Sequence, residues 1–158
     1  MTRLRQAAHG ANIQFVDPWT FDDGDGGHDI LNNIEGIYGG AFDDKIDGHS
    51  GNIQYITTGY RFYGNDGNDR LQSDAGDDVL DGGAGNDTLI FGAGQDVVFG
   101  GIGTDIIDSF NGTTDAIGDL LYGGAGDDAI CGGLSRSQHG VRCGAINNHI
   151  WPQPRPRS

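Results

Sequence analysis

Five aspartates recur at an interval of nine residues: Asp69, Asp78, Asp87, Asp96 and Asp105. Asp128 stands in the same local setting further on, within GGAGDDAIC. Each follows a glycine by two positions: Gly67, Gly76, Gly85, Gly94, Gly103 and Gly126. Glycine-rich turns expose backbone carbonyls, and Asp is a short carboxylate that tolerates turns. Carboxylate and carbonyl oxygens together are the donor set of a hard cation such as calcium, which takes roughly six to eight oxygens in flexible geometry. Of the 23 acidic residues 22 are Asp, although general acidity would use Glu as freely. All 23 fall within residues 17–128, against only Lys45, Arg61 and Arg70, a local charge of −20. The net charge of −14 therefore hides an anionic middle between two basic ends. Such a middle repels nucleic acid and anionic lipid and attracts cations.

The elements that hold these residues follow from a repeat. Five nonapeptides run without a gap from Gly64 to Asp108: GNDGNDRLQ, SDAGDDVLD, GGAGNDTLI, FGAGQDVVF and GGIGTDIID. Position four is Gly, position six is Asp, and position eight is Leu71, Leu80, Leu89, Val98 or Ile107. The phase slips by five residues at 109–113. It resumes with TDAIGDLLY and GGAGDDAIC. The first six positions are turn material, and the last three are β-formers that predict a strand of about three residues. Alternation points the eighth residue inward. Two nonapeptides then make one flattened coil of about eighteen residues, with parallel sheets on both faces and turns along both edges. The expected fold is all-β, a parallel β-roll. With 30 Gly in 158 residues, a mainly helical chain is excluded.

These nonapeptides resemble the RTX, or hemolysin-type, calcium-binding repeat, GGxGxDxUx. The resemblance implies a right-handed β-solenoid in which stacked turns share several calcium ions. Carried over, it pairs Asp69 with Asp87, Asp78 with Asp96 and Asp87 with Asp105, and it makes Asp128 a further ligand with its partner left open. Gly64, Gly67, Gly76, Gly82, Gly85, Gly94, Gly100, Gly103, Gly123 and Gly126 would complete the turns. Asp44 and Asp119 are weaker candidates, because their turns lack the expected Gly. Asn65 and Asp74 replace the second Gly, and Ser73 and Phe91 replace the first, so weaker binding is expected at these turns. The resemblance further implies an extracellular, calcium-folded module, structural or associated with secretion, exported by a type I route. The alternative is a fragment of an RTX protease, lipase, epimerase or hemolysin.

Other chemistry finds little support. An EF-hand needs a Glu at loop position twelve, and the one Glu, Glu35, would start its loop at Gly24. His9, His28, His49, His139 and His149 form no HExxH, and no GxSxG occurs, so no enzyme is expected. Cys131, His139, Cys143 and His149 match no standard zinc spacing. For Cys131 and Cys143, free or incidental thiols are the preferred reading, with a disulfide as the alternative.

The expected organisation is a poorly ordered lead over 1–27, degenerate opening repeats over 28–63, the calcium array over 64–131 with its insertion at 109–113, and a basic, Pro-rich tail or cap over 132–158. Trp151, Ile146 and Ile150 are candidates for covering the solenoid end. Outward Ile90, Val97, Phe99 and Ile106 offer a partly apolar face to a parent-chain domain or a second copy. No apolar stretch is long enough for a membrane span, and Met1–Val16 is no conventional signal peptide.

Overall fold

The computed structural model describes residues 36–48, 59–109 and 118–131, and the backbone of four short strands outside them. In chain order the strands are β1 (Thr2–Arg3), β2 (Asn12–Gln14), β3 (Thr20–Asp22), β4 (Gly36–Tyr38), β5 (Lys45–Asp47), β6 (Arg61–Asp66) and β7 (Arg70–Gln72). They continue as β8 (Val79–Ala84), β9 (Thr88–Phe91), β10 (Val97–Ile102), β11 (Ile106–Ser109), β12 (Leu120–Ala125), β13 (Asp128–Cys131) and β14 (Cys143–Ile146). One sheet runs β1-β4-β6-β8-β10-β12, the other β14-β13-β11-β9-β7-β5-β2-β3. From β4 to β13 alternate strands thus go to opposite sheets, as a flattened parallel β-roll requires.

Register follows the repeat. Phe62, Leu80, Val98 and Leu121 stand in line on one sheet. Ile46, Leu71, Leu89, Ile107 and Ile130 do so on the other. These eighth-position side chains meet between the sheets, joined by Ile37, Tyr60 and Phe91. Both irregular stretches are absorbed without loss of phase. Val97 pairs with Leu120 across the five-residue slip, and Ile37 pairs with Phe62 across the longer excursion after Gly48.

Two expectations change, strand length and the state of the thiols. Strands β6, β8, β10 and β12 are six residues long, since positions one to three of the next repeat extend them. The second position there has positive φ, +104° at Gly83 and +77° at Asn65. Asn tolerates that conformation, and the Asn65 Nδ2 donates to the Gly39 carbonyl at 2.8 Å. Within the lead the backbone of β1, β2 and β3 is described. The thiols are not free: Cys131 is disulfide-bonded, and Cys143 is the only other cysteine in the chain. The reason is β14, which lies antiparallel to β13 and sets Cys143 directly opposite Cys131. Residues so opposed are about 4.5–5.5 Å apart at Cα, within the span a disulfide bridges. Ile146 ends this strand, whereas Trp151 and Ile150 lie outside the described residues.

Of the outward side chains, Phe99 and Ile106 are exposed, and Ile90 and Val97 are half-buried. Phe99 stacks on Tyr122 with ring centroids 5.0 Å apart, and Tyr38 stacks on Tyr63 at 4.4 Å.

Candidate metal centre

The position-six aspartates leave the strands at the turn edges and fold back inward. Asp69, Asp78, Asp87, Asp96, Asp105 and Asp128 are each at most 2% exposed. Their carboxylates form two ladders, one along each edge. On the first, the backbone N–H groups of Asp44, Asp69, Asp87 and Asp105 donate to Oδ1 of Asp69, Asp87, Asp105 and Asp128, at 2.7, 2.8, 2.9 and 3.0 Å. On the second, Tyr60, Asp78 and Asp96 donate to Oδ1 of Asp78, Asp96 and Asp119, at 2.6, 2.9 and 3.0 Å.

The pairs expected from the repeat are therefore adjacent rungs, and Asp128 gains Asp105 as its neighbour. Asp44 and Asp119, expected to be weaker, both enter ladders. Asp44 does so despite Phe42, because the Gly40 N–H donates to its Oδ2 at 2.5 Å and closes the turn.

The second oxygen decides the chemistry. Oδ2 of Asp69, Asp78, Asp87, Asp96, Asp105 and Asp128 is buried without a hydrogen-bond partner. A buried carboxylate oxygen left so is costly. On the first edge the first-position glycine keeps the space beside it open. A Cβ on Gly64 would overlap Asp69 Oδ2 and the Gly82 carbonyl oxygen of the next coil. Gly82 stands likewise toward Asp87 and Gly100, and Gly100 toward Asp105 and Gly123. At Gly123 the three nearest atoms all belong to Asp128. Three cradles thus bring an unpartnered carboxylate oxygen together with a carbonyl oxygen from the following coil. The fourth-position glycines, Gly67, Gly76, Gly85, Gly94, Gly103 and Gly126, all have φ between +126° and +145°. This conformation suits glycine and no branched side chain.

The RTX calcium-binding nonapeptide repeat matches residues 37–52, 63–98, 92–113 and 118–136, more than half of the chain. The chain belongs to the RTX calcium-binding repeat family. No curated protein and no solved structure matches it. RTX repeats bind Ca2+, and the orphaned oxygens fit that ion: hard, anionic, and set against carbonyls.

The second edge of this RTX roll is built differently. Its first positions are Ser73, Phe91 and Ser109, all buried, and Phe91 belongs to the core. Asp78 and Asp96 keep orphaned oxygens there, but no glycine stands at position one.

Sequence reasoning missed one feature of these RTX turns. The Asp43, Asn68 and Asn86 side chains accept the backbone N–H groups of Asn68, Asn86 and Thr104, at 2.7, 2.8 and 2.8 Å. On the other edge Asp77 accepts from Gln95 at 2.9 Å. This outer ladder points along the chain opposite to the carboxylate ladder, so each turn is clasped in both directions. Its signal is a side-chain acceptor at position five, spread over several residue types.

Without a cation, burial raises these carboxyls above the ordinary aspartate value, to about 7 at Asp69 and Asp96 and about 6 at Asp78 and Asp87. Asp105 is raised for the same reason. In every case the donated backbone N–H offsets only part of the burial effect. The cation-free fold thus holds protons more tightly than the unfolded chain does. Its stability is greatest in acid and is lost as pH rises from the unfolded value of 3.8 through about 7. In chelator, lowering the pH from about 8 to about 5 is expected to increase β content by circular dichroism. Unchanged or falling β content would contradict this.

Proposed function

We propose that the chain is an extracellular module whose roll folds when calcium enters its turn edges. The observation that carries this reading is the row of buried, partnerless Oδ2 atoms beside the first-position glycines. Asp69, Asp87 and Asp105 would each hold an ion with the Gly82, Gly100 and Gly123 carbonyls, and Asp128 would close the last turn. Asp78 and Asp96 would form weaker sites on the opposite edge. Gly64, Gly82 and Gly100 leave room for the ions, and the fourth-position glycines shape the turns.

Folding and binding are then one event. Without the ion, stacked carboxylates repel across neighbouring coils. One inward aliphatic residue in nine is a thin core against the entropy of ordering the backbone. With the ion, binding free energy becomes folding free energy. The disulfide at Cys131 supports an oxidising exterior. A calcium-poor cytosol would leave the array unfolded for export by a type I route, with the module serving a structural or secretion-associated role in a longer RTX protein. Exposed Phe99, Ile102 and Leu120, on the sheet of β10 and β12, support packing of that outer face on a neighbouring domain or a second copy.

The test is a calcium titration that follows β signal and bound-ion count together. Both are expected to rise steeply, with a midpoint of about 10⁻⁴ to 10⁻³ M as in other extracellular modules. Equal β content in excess chelator and in millimolar calcium would overturn the proposal.

A further inference from the structure

A parallel roll must end somewhere, and its last coil presents an open strand edge and an uncovered core. Here the final strand of one sheet, β13, is covered by β14, which runs against the direction of the roll. Antiparallel pairing ends the propagation, since the next parallel coil has no place to add. The four residues of β13 join two things. At one end Asp128 accepts the Asp105 N–H, keeps a buried, partnerless Oδ2, and stands opposite Ile146. At the other end Cys131 is disulfide-bonded and stands opposite Cys143. The strand that covers the last carboxylate rung is therefore the strand the disulfide retains. Cys131 itself is 7% exposed, so the bond lies within the packed end of the roll.

We propose that the Cys131–Cys143 disulfide is a redox latch on the last calcium rung of the array. Oxidised, it holds β14 in place, orders the turn at Asp128, and lets the Asp105–Asp128 pair bind its ion. Reduction by a dithiol transfers two electrons and two protons to the bond, yields two thiols, and leaves the dithiol as its own disulfide. β14 then stays only as long as its backbone pairing holds it. The coupling is reciprocal: calcium at the last rung must make the disulfide harder to reduce by the same factor that the disulfide improves calcium binding. This inference rests on the calcium reading above, and it adds a regulator that the repeats do not contain.

The full chain is titrated with calcium in its oxidised form and after reduction by a phosphine, with thiols counted before and after. The Cys131→Ser/Cys143→Ser double variant is titrated alongside. Reduction is expected to raise the calcium midpoint by about fivefold or more and to remove about one ion from the saturated count. The double variant should behave like the reduced chain. In a second measurement the oxidised chain is equilibrated with a dithiol redox buffer, in calcium and in chelator. Calcium is expected to shift this equilibrium toward the disulfide, a result that does not depend on the double variant folding. Superimposable titrations with identical dithiol equilibria would overturn the latch while leaving the calcium array intact. Absence of calcium binding in both redox states would overturn the array and the latch with it.

Discussion

Replacing Asp87 by Ala is expected to raise the calcium midpoint by about ten- to a hundredfold, the largest shift of any single rung. Asp87 lies at the centre of the first ladder. Its Oδ1 accepts the Asp69 N–H at 2.8 Å, its own N–H donates to Asp105 at 2.9 Å, and its Oδ2 faces the cradle beside Gly82. Ala removes the charged ligand and orphans a buried N–H. Those losses are each worth about 1–3 kcal/mol, and every 1.4 kcal/mol is about tenfold in affinity. Asp87→Asn separates the two. Its side-chain oxygen can still accept from Asp69, but it brings no charge to the cradle. In chelator Asn should raise β content relative to wild type, since burial pushes the Asp87 carboxyl up to about 6 and ionising it there is unfavourable. In calcium Asn should weaken binding nearly as much as Ala does. Titrations of the three proteins by circular dichroism check this. An Asp87→Ala midpoint equal to wild type would show that the ladder does not hold the ions.

How much of this was legible depends on whether a position tolerates alternatives. Position six admits only a carboxylate that turns inward, so the rungs were readable from Asp69 to Asp105. Position eight admits only an apolar side chain, so Leu71, Leu80, Leu89, Val98 and Ile107 announced the core. The slip at 109–113 looked like a break, yet β12 resumes in register on β10. Asp44 has Phe42 where Gly was expected in its turn. Phe42 is 42% exposed, and the turn closes instead through the Gly40 N–H. Position five escaped notice because Asn, Asp and other acceptors serve alike. The disulfide ranked only as the alternative to free thiols because β14 lies in a stretch without period, and only the pairing of β14 with β13 relates Cys143 to Cys131. Phe91 was read as a weakened turn, and its side chain is in fact part of the core.

That difference between the edges gives the second large effect. Gly82→Ala is expected to abolish one calcium site and to raise the midpoint by about tenfold or more. Gly82 lies within β8 and needs no left-handed backbone, so Ala meets no conformational obstacle there. What the new methyl meets is Asp87 Oδ2 and the Gly100 carbonyl oxygen, the two oxygens of one cradle. Neither can withdraw freely. The carboxylate is held through Oδ1 by the Asp69 N–H, and the carbonyl belongs to the next coil. Crowding of this kind costs about 1–3 kcal/mol, and here it also occupies the space an ion would take. Gly40→Ala is the control. A Cβ there would lie 3.9 Å from Asp44 Oδ2, an ordinary contact, and the backbone N–H that donates to Asp44 is retained. The two alanine variants therefore differ in whether the methyl enters a cradle. Counting bound calcium at saturation is the deciding measurement: one ion fewer for Gly82→Ala and an unchanged count for Gly40→Ala are expected. Equal counts in both variants would place the ions away from the first-position glycines, and the first edge would lose its advantage over the edge that carries Ser73 and Phe91.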